Sequence, residues 1–382
     1  MKYCKICLQP DTRPNTYFNS MGICPACSFS QEVSDDSWKK PKYSLNIESF
    51  KEYIQPHLKN VSGYDCCLGV SGGKDSTKQA LFARDVLNLN PKLVSLIFPP
   101  ELITVTGTKN ISNLIELGFQ VEMLSPAPQD WKRLMLLALK KFGNPLVPTE
   151  LALYSSVPRV AIQMGLKLIL WGENPALQLG DMNTLASHPY DGDNISQTNT
   201  LKNAELGWFD ELNPPVSVID SYHYPPLSTY QKYQLKTVFM GPIIEDWSLV
   251  NNGKYAALHG IDVRNEHPLR IGDIYGVTAL DQHITPFNQV LKYLKYGFGR
   301  MTDYANEEIR LGRLSRQDAI PLVKQYDGKC SLGYFKRFAK YLDISYEEFW
   351  DIIDQFVDKN LFTRISIDEY VPMFEIGEGV IG

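Results

Sequence analysis

The sequence holds no run of roughly 18 uninterrupted apolar residues, the length a helix needs to cross a bilayer. No apolar stretch follows the opening Met1-Lys2-Tyr3-Cys4, which argues against a secretory signal. There is no excess of positive charge either: 38 Lys and Arg stand against 43 Asp and Glu, for a net charge of -5. Proteins that grip a long nucleic acid usually carry a basic face, so the totals argue against that partner. The cysteines do not pair off: there are seven, and four of them sit in two CxxC pairs. That pattern fits bound metal in a reducing cytosol better than a disulfide framework. The exclusions leave a cytoplasmic globular protein with no membrane partner. Its 382 residues exceed what one ordinary core organises, so two or three domains are expected.

Residues 1–42 are rich in Cys, Pro, Asn and Ser and show no long amphipathic period, as expected of a small module that cannot fold on burial alone. From 43 onward helices and strands alternate. Asn46 to Leu58 reads as a helix, 65–70 as a buried strand, Thr77 to Leu89 as a helix and Leu93 to Phe98 as a strand. A helix ending at Gly118 follows, then a strand from Val121 to Leu124, helices over 131–142 and 157–164, and a strand over 167–171. This alternation predicts an α/β fold with a doubly wound parallel sheet. Residues 176–285 carry many Pro, Asn, Tyr and Asp and few periods, and read as a loop-rich substrate region that closes a domain spanning 43–285. Residues 286–382 turn helical again, with capping-box spacing at Ser315 and Asp318 and at Ser345 and Glu348, and predict a helical C-terminal cap.

Four features carry chemistry. In the first, Cys4-Lys5-Ile6-Cys7 is followed after sixteen residues by Cys24-Pro25-Ala26-Cys27. Two tight CxxC turns offer four thiolates to one tetrahedral ion, the spacing of a structural zinc ribbon. A Cys4 set can also hold an iron–sulfur cluster. In the second, the strand over 65–70 runs into Ser71-Gly72-Gly73-Lys74-Asp75-Ser76 and then a helix. The glycines let backbone N–H groups approach phosphate, and the helix start adds partial positive charge. Ser71 and Ser76 can donate hydrogen bonds, Lys74 supplies charge, and Asp75 can hold the magnesium that accompanies ATP. The loop is not a Walker A motif, because Asp75 follows Lys74 where Ser or Thr is required.

The third feature, Trp171-Gly172-Glu173-Asn174, ends a predicted strand, the place where open α/β sheets bind ligands. Gly172 allows a sharp turn, Glu173 is a candidate base or magnesium ligand, and Asn174 can hydrogen-bond a polar group; a plain strand-end turn is the competing reading. The fourth is the basic segment from Lys292 to Arg316, which predicts Arg300 at a turn. Arg300 and Arg310 are candidates to grip an anionic substrate, with a solvated helix face as the equal alternative. For Lys292, Lys295 and Arg316 the solvated face is the expected reading. Cys66 and Cys67 fall in a predicted core strand and Cys330 in a turn, so none is expected to be a nucleophile.

The loop resembles the SGGxDS signature of the PP-loop (HUP-like) ATP pyrophosphatases, which hold the pyrophosphate part of ATP and release AMP. Further stretches are similar to the N-acetyl sugar amidotransferases: Cys7-Leu8-Gln9-Pro10-Asp11-Thr12, Gly22-Ile23-Cys24-Pro25-Ala26-Cys27, Trp171-Gly172-Glu173-Asn174, Leu294 through Arg300, and Glu308 through Arg316. The resemblance covers roughly the first 180 residues and 290 to about 330. It implies an enzyme that uses ATP, Mg2+ and a structural Zn2+ to turn the acetamido group of a sugar, nucleotide-linked or not, into an acetamidino group, in bacterial surface-polysaccharide or nonulosonic-acid synthesis. It assigns Lys74, Asp75 and Glu173 to catalysis, and implies that ammonia comes from a separate glutaminase through a synthase-like channelling subunit. Two readings compete: a PP-loop enzyme that thiolates or amidates tRNA, and a non-catalytic nucleotide-sensing scaffold, against which the intact Lys74 and Asp75 argue.

Overall fold

The computed structural model describes residues 1–34, 46–58, 63–172, 190–197, 206–213, 219–244 and 246–380. The N-terminal module loops through its two CxxC turns into helix α1 (Pro25–Ser34). Helix α2 (Ile47–Ile54) is capped by Asn46, whose side chain accepts from the Ser49 N–H. A parallel α/β domain follows, with strands β1 (Cys66–Val70), β2 (Pro91–Leu96), β3 (Val121–Leu124) and β4 (Leu168–Trp171). Helices α3 (Lys74–Asp85), α4 (Val105–Glu116), α5 (Pro128–Phe142) and α6 (Val147–Met164) connect them.

The sheet order is β3-β2-β1-β4-β5, all parallel, with β5 spanning Lys236–Phe239. Every residue of β1, β2 and β4 is buried, as expected of strands covered by helices on both faces. Neighbouring residues serve opposite faces. Cys66, Leu68 and Val70 join the core layer under α3 and α4, whereas Cys67 joins the layer that contains Trp131 of α5 and Val157 of α6. That second layer runs on without a break into the C-terminal helices, through Phe287, Phe335, Phe349 and Trp350. The chain order reverses between β1 and β4, which opens a crevice at their C-terminal ends.

Three expectations need correction. The helix after β1 starts at Lys74 rather than Thr77, because the loop passes straight into it with Gly73 as the N-cap. Helix α6 starts at Val147, ten residues before the expected Val157; Pro148 suits its first turn, but the interior Pro158 withholds a backbone donor and makes the sequence read as a break. The segment expected to be loop-rich holds β5, helix α7 (Leu227–Tyr233), helix α8 (Leu249–Leu258) and the one-turn α9 (Pro268–Ile271). Strand β5 gives no periodic signal because it is only four residues long and begins with Lys236, whose ammonium bridges Asp191 and Asp193 at 2.8 Å each.

The C-terminal region is helical through α10 (Thr285–Tyr296), α11 (Arg300–Arg310), α12 (Arg316–Tyr326), α13 (Leu332–Tyr341) and α14 (Tyr346–Asp354). Ser315 and Ser345 cap α12 and α14, accepting from the N–H groups of Asp318 and Glu348. Two small antiparallel ribbons close the chain: β6 (Phe362–Arg364) with β7 (Tyr370–Pro372), and β8 (Phe374–Glu375) with β9 (Gly379–Val380). Among the described residues no helix is long and apolar enough to cross a membrane.

Candidate nucleotide site and cysteine centre

Strand β1, the loop 71–76 and α3 form a tight turn at the C-terminal edge of the sheet. Gly72 has φ +74°, and a Cβ there would lie 3.0 Å from the backbone nitrogen of Ile111, so both conformation and space call for glycine. The two serines pin the loop to itself: Ser71 Oγ accepts from the Gly73 N–H at 3.3 Å, and Ser76 Oγ accepts from the Ser71 N–H at 3.3 Å. Lys74 is 4% exposed and ion-paired with Asp75, whose side chain remains 41% exposed. Gly172 lies at the end of the adjacent β4, where a Cβ would come within 2.5 Å of Gln79 Oε1 and 2.6 Å of Trp247. The expected glycines and serines therefore gather at one crevice. Glu173 and Asn174 lie outside the described residues.

Two residues of this site carry no signal in the sequence pattern. Buried Asn252, on the first turn of α8, donates to Asp75 Oδ1 at 2.7 Å. Glu307 of α11 is 2% exposed. Its Oε2 accepts from the Leu249 N–H at 2.6 Å, and its Oε1 is buried with no hydrogen-bond partner among the described residues. Burial pushes this carboxyl up to about 7; Asp75 adds to the rise, while the Leu249 N–H, Arg310 and Lys74 oppose it. The N-terminus of α8 thus meets both carboxylates, one through a side-chain amide and one through a backbone N–H. Its partial positive charge suits that role.

Helix α11 explains the arginines. Positions 300, 303, 307 and 310 fall on one helical face at 3.6 residues per turn. Arg310 shares the electrostatic field of Glu307 beside the loop. Arg300 begins the helix after Gly297 and Gly299, as the expected turn requires, roughly 15 Å along the axis from Arg310 at 1.5 Å per residue. The structure therefore does not bring the two arginines together. Arg300 Nη1 lies 4.0 Å from Asp303, which also pairs with Arg13 and, at 2.7 Å, with Lys292. Burial, with help from Arg300 and Arg13, lowers the Lys292 ammonium to about 8. Asp303 is held well below the usual carboxylate range: burial opposes this, but Lys292, Arg13 and Arg300 outweigh it.

The three residues expected on a solvated face are all engaged. Lys292 is ion-paired, Lys295 donates to the Phe142 carbonyl at 2.7 Å, and Arg316 reaches the carbonyls of Cys7 and Gly377. Lys295 and Arg316 find partners at the end of α5, in the N-terminal module and in the last ribbon, elements far away in sequence, whereas Lys292 pairs with Asp303 on the next helix. Beside them opens a cavity of about 580 Å³, lined among others by Arg13, Asn144, Gln289, Lys292, Lys295 and Phe298.

Cys4, Cys7, Cys24 and Cys27 form a buried metal-binding set, with all four Sγ atoms within 4.8 Å of one another and Cys7 and Cys24 3.8 Å apart. Backbone N–H groups of Ile6 and Cys24 point at Cys4 Sγ, and that of Gln9 at Cys7 Sγ. The module docks on α11 at two faces: Arg13 pairs with Asp303 on the charged one, while the Leu8 N–H donates to Asn306 Oδ1 at 2.8 Å and Ile309 packs against the cysteines. Cys66 and Cys67 are buried in β1, and burial raises the thiols of Cys67 and Cys330 to about 12 and drives that of Cys66 up as well.

Fold and loop together define the class: an α/β protein with a five-stranded parallel sheet, a loop of SGGxDS pattern after its first strand, an N-terminal four-cysteine cluster and a helical C-terminal region. Residues 243–374, roughly a third of the chain, match the family described as "LPS biosynthesis protein WbpG-like, C-terminal domain". No curated protein matches the chain. Among solved structures, it is similar to the U34-tRNA thiolase NcsA from Methanococcus maripaludis with its [4Fe-4S] cluster, at 15% identity and a TM-score of 0.31, over 71% of this chain and 79% of that one. A likeness that distant says nothing about what this chain acts on.

Proposed function

We propose that the chain is an ATP-dependent N-acetyl sugar amidotransferase. The observation that carries this reading is the junction at Asp75. Asn252 and Glu307, both inside the stretch that matches the WbpG-like family, converge on the phosphate loop of the α/β domain. An ATP loop completed by a domain described for lipopolysaccharide synthesis points to sugar chemistry driven by adenylation.

The acetamido oxygen attacks the α-phosphorus of ATP and pyrophosphate leaves. Ammonia then adds to the imidate carbon, and AMP departs with the former amide oxygen. Ser71, Gly72, Gly73 and Ser76 hold the pyrophosphate, and Lys74 balances its charge. A magnesium ion held at Asp75 supplies further charge neutralisation. Gly172 ends β4 at the crevice; Glu173, as base or magnesium ligand, and Asn174, as a hydrogen-bonding group, are the residues that follow it in sequence. The sugar occupies the cavity beside Arg13, Lys292 and Lys295, with Arg300 behind Asp303 adding positive charge. Asp303, which pairs with the cavity residues Arg13 and Lys292, and Glu307 are about 6 Å apart along α11.

The cysteine centre suits a single zinc ion, because a tetrahedron with Zn–S bonds of about 2.3 Å has sulfur–sulfur edges of about 3.8 Å, the Cys7–Cys24 separation. Ammonia comes from a separate glutaminase through a channelling subunit, and the reaction runs in the cytoplasm, where ATP is available. A panel of N-acetylated sugars, incubated with ATP, magnesium and ammonium, tests the reading by mass spectrometry. Replacing O by NH lowers the product mass by about one dalton. AMP formation that depends on tRNA and sulfide rather than on sugar would replace this reading with the thiolation one.

A further inference from the structure

We infer that Glu307 and Asp75 form one divalent-cation site shared between the α/β domain and the C-terminal helices. The inference rests on the reading of loop 71–76 as an ATP site. Glu307 contributes an oxygen that has no hydrogen-bond partner among the described residues.

A buried carboxylate oxygen without a hydrogen bond has lost its water and gained nothing in return, so native proteins seldom leave one unanswered. Glu307 Oε1 is such an atom among the described residues. Its orientation is not accidental, because the Leu249 N–H fixes the other oxygen at 2.6 Å. Three residues further along the same helical turn, Asn252 holds Asp75 Oδ1 at 2.7 Å. Helix α8 therefore acts as a jig that presents two carboxylates from distant parts of the chain. It packs along α3 and touches α11, so neither acid can drift independently.

The donor set is hard oxygen, and magnesium is usually held by one or two carboxylates plus phosphate oxygens. The Lys74 ammonium is ion-paired with Asp75. A divalent ion taking that place releases Lys74 to the phosphates. The cation then ties the C-terminal helices to the loop only when nucleotide is bound. The competing role for Glu307 is purely structural: an acceptor for the first turn of α8 and a counter-charge for Arg310.

Glu307→Gln separates the two. Glutamine keeps an oxygen for the Leu249 N–H and loses the charge. The measurement is Mn2+ binding to the full-length protein by electron paramagnetic resonance, with and without α,β-methylene-ATP, which cannot be split at the bond this chemistry breaks. The wild type should bind Mn2+ with the nucleotide. Glu307→Gln should weaken Mn2+ by about tenfold or more, the scale by which even outer partners of a metal shift affinity, while its melting temperature without nucleotide does not fall. If Glu307→Gln misfolds, Glu307→Asp, which keeps the charge but retracts the oxygen, should still weaken Mn2+ severalfold. Affinity within twofold of wild type in a folded variant overturns the inference and leaves the ATP site standing. A wild type that binds neither the analogue nor Mn2+ brings down the ATP-site reading, and the inference with it.

Discussion

Asn252 Nδ2 lies 2.7 Å from Asp75 Oδ1, a contact made across 177 positions of sequence between the phosphate loop and the first turn of α8. The amide orients the carboxylate without charge of its own. Hydrogen bonds to charged groups contribute about 1.5–3 kcal/mol. Asn252→Ala should therefore slow AMP formation about ten- to hundredfold, since about 1.4 kcal/mol is a factor of ten. Rates within twofold of wild type in a quenched AMP assay would show that Asp75 needs no such support.

Lys74→Ala and Asp75→Asn should each lower AMP formation by roughly 10²–10³ or more, because charge stabilisation around a transferring phosphoryl group is worth that much. Circular dichroism should show both variants folded, since Asp75 is 41% exposed and packs little. Near-normal AMP release from both would remove loop 71–76 from the chemistry.

Purified protein should carry one zinc ion per chain at Cys4, Cys7, Cys24 and Cys27. Cys24→Ser should loosen the N-terminal module from α11, where Leu8 meets Asn306 and Ile309 meets the cysteines. Proteolysis within residues 1–34 should rise sharply, with less effect on ATP binding. Elemental analysis is the check; iron with a visible absorption band would reassign the metal.

Asp303→Asn should destabilise the fold by about 2–4 kcal/mol at pH 7, because it leaves Arg13, Lys292 and Arg300 facing one another with no carboxylate between them. The Asp303 carboxyl is held below its ordinary value. Its stabilisation is thus complete above an unfolded value of about 3.9 and fades as the pH falls through the lower folded value. The stability gap between variant and wild type should be full at neutral pH and narrow below about pH 4. Denaturant melts at pH 7 and pH 3 measure it, and an equal gap at both would mean that the charge of Asp303 is not what matters.

The isolated chain should use millimolar ammonium and fail with glutamine alone. Glutamine hydrolysis needs an activated cysteine, and here four thiols form the metal set while burial raises those of Cys66, Cys67 and Cys330. Equal turnover with either nitrogen source would remove the need for a separate glutaminase.

Much of the sheet is legible in the sequence, because each buried strand is a short apolar run set between amphipathic helices. β1 with its glycine loop and α3 is the clearest case: the signal is local, since a helix must follow a strand within a few residues for the loop to cradle an anion. Strand β5 carries no such signal. It is four residues long, starts with a lysine and is held by Asp191 and Asp193 rather than by an apolar pattern. The cysteine set is legible for the same local reason as the loop, since each CxxC turn delivers two ligands unaided.

By itself, then, the sequence determined the parallel α/β class, the glycine turn between β1 and α3 and the four-cysteine cluster, because the groups that define each lie within a few residues of one another or within one short module. Only the tertiary structure decided that α11 buries a charged face, with Asp303 paired to Arg13 and Lys292 and Glu307 held by the Leu249 N–H. Periodicity alone leaves a face spaced 300, 303, 307 and 310 ambiguous between water and partner. What resolves it is the packing of α8 and the N-terminal module around that helix, which removes the water and makes each charge answer to a residue far away in sequence.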